Sequence, residues 1–367
     1  MMKGVEVSET NPRVTVLMSV YNGEEYLREA VDSILNQSFR DFEFLIINDG
    51  STDSTKGIIE SYDDPRIQLI DNGENIGLTR SLNRGLRLSR GEYIVRQDHD
   101  DVSMPERLER QVEFLDRHPE AVVVASNFQI INSENILIKV DYRRARDTAL
   151  IAWRLLFYNC LAGHSQVMFR RKNILDLGGY SEEYAFSQDH NLWLRINEVG
   201  RISSIPDVLI KKREHEDSIT SRFKEIQEEN SLKQSQHALS KLIGKEISVQ
   251  EVNDLRIFWK ASEIKEVMNV WTEHARRINP GVLHNRLKEI YRAFIEKQGE
   301  QNLLKPGTEK KIRDEIGKQF LFCAKRINMF QMPLLKLRYS LYAFPWTPLR
   351  ALCFWPKAVW NALKHLI

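Results

Sequence analysis

Through the first half of the chain, continuous apolar runs alternate with segments whose apolar positions recur every three or four residues. VTVLMSV (14–20) is such a run, bounded by Pro12 and Asn22-Gly23, and it predicts a strand buried on both faces. EEYLREAVDSILNQ (24–37) then sets Leu27, Ala30, Val31, Ile34 and Leu35 on one side of a helix. FEFLIIN (42–48) predicts a second buried strand, and STDST supplies caps for a short helix with Ile58 and Ile59 inward. RIQLI (66–70), EYIVRQ (92–97) and AVVVAS (121–126) predict three more strands. A helix from Leu78 to Leu88 repeats Leu78, Leu82 and Leu86, and Pro105 suits the first position of the next one.

Strands and helices alternating this closely imply right-handed crossovers and a largely parallel sheet with helices on both faces. Ligands of such sheets bind outside the carboxyl ends of the strands. Tyr21-Asn22, Asp49-Gly50-Ser51 and Asp98 to Asp101 all fall at those ends, so three polar clusters are expected to face one crevice. From about 146 the pattern changes. A helix around Trp153 leads to GHSQVMFRR (163–171), read as a strand. The glycines of LGGYSE mark a turn, and Leu192, Ile196 and Val199 fit one face of a further helix. Residues from about 222 to 320 are charged and helical in character.

Composition changes this picture at one end only. The formal net charge of +2 excludes the basic surface of a nucleic-acid binder. Residues 316–367, however, hold eight Lys and Arg, no Asp or Glu, and three of the seven tryptophans. Prolines at 333, 345, 348 and 356 interrupt this tail. No piece of it reaches the roughly 20 apolar residues of a membrane span. Basic, aromatic, amphipathic pieces suit the interface of an anionic leaflet; a helical cap packed on the rest of the protein, or a dimer contact, is the alternative. Cys160, Cys323 and Cys353 fit neither a zinc spacing nor a disulfide framework, which points to a reducing cytoplasm. The first residues carry no apolar signal core.

The sharpest chemistry lies in QDHDD (97–101). Three carboxylates within four residues repel one another unless a cation neutralises them. A dinucleotide G-x-G-x-x-G and a phosphate-binding P-loop are both absent from the sequence. A divalent metal on Asp98 and Asp100 would let carboxylates and ligand phosphates share one hard cation. The competing reading is that these acids cap the helix after Pro105.

Several motifs in fixed order resemble the inverting glycosyltransferases of family 2, whose GT-A fold is Rossmann-like. They are VLMSVYNGEEYLREAVDSILNQSF, FEFLIINDGSTDST, NIGLTRSLNRGL, GEYIVRQDHDD with its following P-x-R-L-E-R-Q, GHSQVMFRR, GGYSE, QDHNLWLR and REH. The resemblance covers about residues 12–220. It implies an α/β catalytic domain over 13–221, with a nucleotide-sugar half (13–126) and an acceptor half (127–221). A short extension (1–12) precedes it; a helical region (222–324) and the basic tail (325–367) follow.

The resemblance also implies roles. Ser19 and Tyr21 match the strand end that binds the nucleotide base, and Asp49 the aspartate that reads base or ribose, with Ser51 beside it. Asp98 would face the ribose and Asp100 would ligate Mn²⁺ or Mg²⁺. His99 is the variable middle position, read as structural, and Asp101 is expected to cap the next helix. Asp189 matches the general base. Gln188 replaces the glutamate common beside it, which bears on acceptor contacts. Arg213 and His215 match an Arg-x-His that approaches the diphosphate or the metal from a mobile loop, and His164 matches an acceptor-side pocket residue. The donor would be a nucleotide sugar, UDP-linked by preference, and the acceptor a glycan or lipid-linked glycan of a bacterial surface polysaccharide. Two rivals stay open: a sugar-1-phosphate nucleotidylyltransferase, which VYNGEEYL disfavours by offering acids where a basic Gly-rich loop is needed, and a non-catalytic binding module on a degenerate fold.

Overall fold

The computed structural model describes residues 11–141, 147–161, 163–184, 186–260, 278–301, 303–326, 333–343 and 345–347. They divide into two compact units, one of residues up to 151 with 161–230, the other of 152–160 with the residues after 230.

The first unit is built on a mixed sheet. Strands β1 (Val14–Val20), β2 (Phe42–Asn48), β3 (Ile67–Asp71) and β4 (Tyr93–Gln97) lie in the order β3-β2-β1-β4, all parallel. Helices α1 (Leu27–Leu35), α2 (Thr55–Glu60) and α3 (Leu78–Leu88) connect them. Every residue of β1 and β2 is buried, as continuous apolar runs require of strands covered on both faces. Leu27, Ala30, Val31 and Ile34 of α1 join the same core.

Beyond β4 the order continues β8-β6-β9-β5 and the direction becomes mixed. The strands are β5 (Val102–Ser103), β6 (Ala121–Ile131), β8 (Val167–Arg170) and β9 (Arg201–Arg213). β8 runs antiparallel to both β4 and β6, while β6 and β9 are parallel. β7 (Leu137–Asp141) is an added hairpin strand on β6. Two-residue β5 pairs antiparallel with Ile210 and Lys211 near the end of β9. The turn after β4 is thereby tied to the far edge of the sheet. This pairing curls the sheet and sets the acidic turn against the end of β9.

Helices α4 (Arg107–Arg117), α5 (Thr148–Leu155), α6 (Arg171–Asp176) and α7 (Gln188–Ile196) fill out the unit, α5 running on into the second one. The short α8 (Ile219–Arg222) follows β9. Two expectations are corrected. Pro105 lies in the turn before α4, which begins at Arg107. Val199 is 57% exposed, because α7 ends at Ile196 and the chain turns before reaching it.

The second unit is helical, with most of α9 (Lys224–Ile243), then α10 (Val249–Lys260), α11 (Pro280–Glu300), α12 (Thr308–Arg326) and α13 (Pro333–Ala343). Trp153 is fully buried there, edge-on to Phe157, Trp259 and Phe294 at 5.2, 6.0 and 5.4 Å. The basic tail falls largely outside the described residues. Where it is described it packs inward: Tyr339 and Trp346 are buried, and the Trp346 indole N–H donates to His284 at 3.1 Å. Among the described residues no helix is long and apolar enough to cross a membrane.

Candidate active site

At the carboxyl ends of β1 and β2 the chain is laced tightly. The Asp49 N–H donates to the Val20 carbonyl at 2.8 Å. Its buried carboxylate accepts from the N–H groups of Ile76 and Gly77, both at 3.0 Å, from the Asn72 amide at 2.7 Å and from the Ser81 hydroxyl at 2.8 Å. Asp49 therefore organises the turn that leads into α3. Gly50 makes this possible: its φ is +70°, and a Cβ there would fall 2.3 Å from the Glu74 carbonyl carbon. Ser51 accepts from the Asn22 N–H at 3.0 Å, and Asn22 accepts from Thr52 at 2.8 Å. Ser19 is buried beneath this lattice, and Tyr21 stands beside it 46% exposed.

The acidic turn after β4 carries its own cations. Arg96, buried in β4, forms an ion pair with Asp98. The Ser165 hydroxyl donates to the other Asp98 oxygen at 2.7 Å and accepts from the Asp98 N–H at 3.0 Å. Burial acts to raise the Asp98 carboxyl, but the Arg96 guanidinium and the Ser165 hydroxyl outweigh it and hold it below its usual value. Arg107 is wholly buried beneath the turn, bonded to Gln97, Ser103, Gln111 and the Arg96 carbonyl. Buried arginines thus moderate the repulsion among these acids from within the fold.

Asp101 is corrected as well. It caps no helix; it is 3% exposed and accepts from the Arg213 N–H at 2.9 Å. Burial, with Asp100 and Asp98 adding to it, pushes its carboxyl well above the ordinary range. His99 is structural in a definite way, for it packs so closely on Gly23 that a Cβ there would lie 2.4 Å from its ring.

Asp100 differs from its neighbours in its partner. Its side chain is 15% exposed, less than the 32% of Asp98, and its Oδ2 lies 3.1 Å from His215 Nε2. The bond to Asp100 raises the His215 pKa against the opposing effect of burial. Arg213 ends strand β9 rather than riding a mobile loop. Its Nε donates to the Asp100 carbonyl at 3.0 Å, its Nη1 to the Asn132 carbonyl at 3.1 Å and its Nη2 to Glu29 at 2.6 Å. The structure therefore brings Asp100 and His215 together, turns Asp98 toward Arg96 and Ser165, and keeps the Arg213 guanidinium inside the protein.

A carboxylate oxygen and an imidazole nitrogen at this spacing fit adjacent corners about a hard divalent ion, which at bond lengths of about 2.1 Å lie about 3 Å apart. The imidazole favours Mn²⁺ over Mg²⁺, which prefers oxygen throughout. Among the described residues no group of three or more His, Cys, Asp or Glu could hold a metal by itself.

On the other side of the crevice, Asp189 lies in the first turn of α7, after Ser187 at the cap position, and its Oδ1 accepts from the His190 N–H at 2.8 Å. Gln188 is buried with its amide oxygen unpaired. His164 Nε2 and the Tyr180 hydroxyl share a hydrogen bond of 2.7 Å. Burial, with Arg96 adding to it, pushes His164 down to about 3, so its ring stays neutral. The buried Tyr180 hydroxyl is raised by burial, and it feels the charges of Arg96, Asp189 and Asp98.

Tyr180, Arg96, Ser165, Asn83 and Glu29 carry no role in the sequence reading, although each bears on the site. Asn83 holds the backbone of Tyr180 from both sides, at 2.8 and 2.9 Å. Arg96 had a usable signal, an arginine within an otherwise buried strand. Glu29 had none, since it lies on the polar face of α1 and meets Arg213 only through the fold.

A curled, mostly parallel α/β sheet with helices on both faces is the architecture of the GT-A class. The sequence model of glycosyl transferase family 2 matches residues 15–178. An uncharacterized glycosyltransferase of Haemophilus influenzae is 30% identical over 261 residues, covering 68% of this chain and 80% of the relative. The putative glycosyltransferase EpsE of Bacillus subtilis is 35% identical over 219 residues, covering 58% and 77%. Residues 1–349 of TarS from S. aureus, crystallised with UDP-GlcNAc, share the fold at a TM-score of 0.54 and 16% identity, over 90% of this chain and 88% of that one. The chain belongs to glycosyltransferase family 2, and it is an enzyme of that kind.

Proposed function

We propose that this glycosyltransferase is metal-dependent and inverting, and that it moves a sugar from a UDP-linked donor to a glycan acceptor of a bacterial surface polysaccharide. The observation that carries the metal reading is the Asp100–His215 pair, partly exposed at 15% and 14%, with 3.1 Å between its ligand atoms. A divalent ion held there with the donor's phosphates would stabilise the negative charge that develops on the leaving diphosphate. The lattice of Ser19, Tyr21, Asp49 and Ser51 forms the floor for the nucleoside, and Asp98, kept ionised beside Arg96, accepts from the donor's hydroxyls. UDP-GlcNAc in TarS makes UDP-linked sugars the first donors to try.

Asp189 acts as the general base. As the acceptor oxygen bonds to the anomeric carbon from the face opposite the diphosphate, the carbon–oxygen bond to the β-phosphate breaks and the hydroxyl proton passes to Asp189. His164, neutral and bound to Tyr180, and Gln188 form the acceptor side. The Lys and Arg of the basic tail, with Tyr339 and Trp346 kept in the core, dock the enzyme on an anionic membrane where lipid-linked acceptors reside, each Lys or Arg adding about 1 kcal/mol. Flotation with anionic liposomes at low and high salt checks this docking.

The test of the whole reading is a donor screen for released nucleoside diphosphate, with Mn²⁺ and with chelator. Release from one UDP-sugar that needs Mn²⁺ and yields the inverted anomer supports it. Equal release in chelator contradicts the metal role, and retention of configuration contradicts the role of Asp189.

A further inference from the structure

We propose that Arg213 and Glu29 act together as positioning residues for the Asp100–His215 pair, in place of the direct phosphate contact that the Arg-x-His pattern implies for Arg213. The inference rests on the metal reading of that pair and deepens it.

Arg213 is the last residue of β9, opposite Ile131 of β6. Two of its bonds hold the acidic turn: its N–H donates to Asp101 at 2.9 Å, and its Nε donates to the Asp100 carbonyl at 3.0 Å. A third fixes it to the Asn132 carbonyl, and the fourth is the 2.6 Å ion pair with Glu29 on α1. Tyr26, one turn before Glu29, packs its ring 4.5 Å from the guanidinium carbon and 5.1 Å from the His215 ring. One side chain therefore fixes the backbone of the first ligand, and the strand end that carries it delivers the second ligand two residues later.

The arrangement needs a guanidinium. It donates in three directions at once, which a lysine ammonium on a flexible stem does not reproduce at this position. It also needs Glu29. The Arg213 side chain is completely buried, and Glu29 is the carboxylate paired with it. Without that carboxylate a buried cation is left facing carbonyl oxygens and the Tyr26 ring, and it shifts toward water. Glu29 itself is 43% exposed, so its loss opens no cavity in the core. The effect of substituting it should therefore concentrate on the ligands that Arg213 holds.

The experiment is a titration of Mn²⁺ in the presence of UDP, read by electron paramagnetic resonance, on the full chain and on Glu29→Ala, Glu29→Gln and Arg213→Lys, with thermal melts alongside. Residues that orient metal ligands typically govern affinity by about 10- to 100-fold. Glu29→Ala and Arg213→Lys should weaken Mn²⁺ by about tenfold, at the lower end of that range. Glu29→Gln, which keeps a hydrogen bond, should recover part of the loss and melt close to wild type, while Glu29→Ala, which leaves the buried Arg213 cation unpaired, should melt lower but stay folded. Saturating Mn²⁺ should restore turnover in Glu29→Ala, moving the Mn²⁺ requirement rather than kcat. Wild-type affinity in Glu29→Ala overturns the proposal, as does a loss that excess Mn²⁺ does not restore. If the wild-type chain itself binds no Mn²⁺ with UDP, the metal reading fails first and the positioning role falls with it.

Discussion

Asp49 and Asp100 each stand at the carboxyl end of a buried strand, yet they are built for different work. Asp49 is saturated: two backbone N–H groups, an amide and a hydroxyl converge on it, and the turn from Asn72 to Gly77 is folded around it. Asp100 keeps partial exposure, turns one oxygen toward His215, and has its backbone fixed by Arg213. The first carboxylate shapes the turn around it, and the second has a single side-chain partner among the described residues, His215. A carboxylate's place at a strand end therefore does not define its role; the donors already spent on it do.

The largest effect is expected at neither station. Asp189→Asn should leave donor binding intact and lower turnover by about 10²- to 10⁴-fold, since it removes a base and preserves shape. Turnover and donor affinity measured together check this, and normal turnover would exclude Asp189 as the base.

Asp49→Asn comes next and tests the contrast itself. An amide turns its NH₂ toward buried donors that the carboxylate satisfied, and each unsatisfied buried group costs about 1–3 kcal/mol. Urea unfolding should therefore show a loss of about 2–3 kcal/mol. Asp100→Asn should leave stability nearly unchanged, and equal losses at the two positions would erase the distinction drawn between them.

A smaller effect is expected at Glu43, near the start of the strand that leads to Asp49. It is buried in β2 and accepts from Thr15, from Arg90 through both backbone and side chain, and from Gln68. Burial works to raise its pKa, but these donors outweigh it and hold the carboxyl below its ordinary value. Its contribution is thus present above the unfolded carboxylate pKa and is lost as pH falls through the depressed folded value. Glu43→Gln should cost about 1–2 kcal/mol at pH 7. The gap to wild type should narrow in melts taken below about pH 4.5. A gap independent of pH would mean that Glu43 contributes by shape alone.

These contrasts also mark what the sequence could yield. The strands 14–20 and 42–48 and the helix after the first are legible because an uninterrupted apolar run and a three-to-four repeat each admit one structure. The long strand β9 was not read, because RISSIPDVLIKKR mixes charges and a proline with apolar residues at no fixed period. The positions of Asp98, Asp100 and Asp189 were legible from motif and strand end. Their partners were not: Arg96 is a buried charge two residues before Asp98, Ser165 meets Asp98 across 67 residues, and Glu29 meets Arg213 across 184. Asp101 was misread as a cap because its partner, the N–H of Arg213, lies 112 residues away. Even the repulsion among the acids was a sound inference with an incomplete answer, since three buried arginines surround the turn.

The central claim is that Asp100 and His215 present a partly exposed, metal-accepting station. Calorimetry of UDP binding tests it most directly, with and without Mn²⁺, on the wild-type chain and on Asp100→Ala. The account predicts binding that requires Mn²⁺ in the wild type and is lost in Asp100→Ala while the folded protein persists. Equal, metal-independent affinity in both proteins would contradict it.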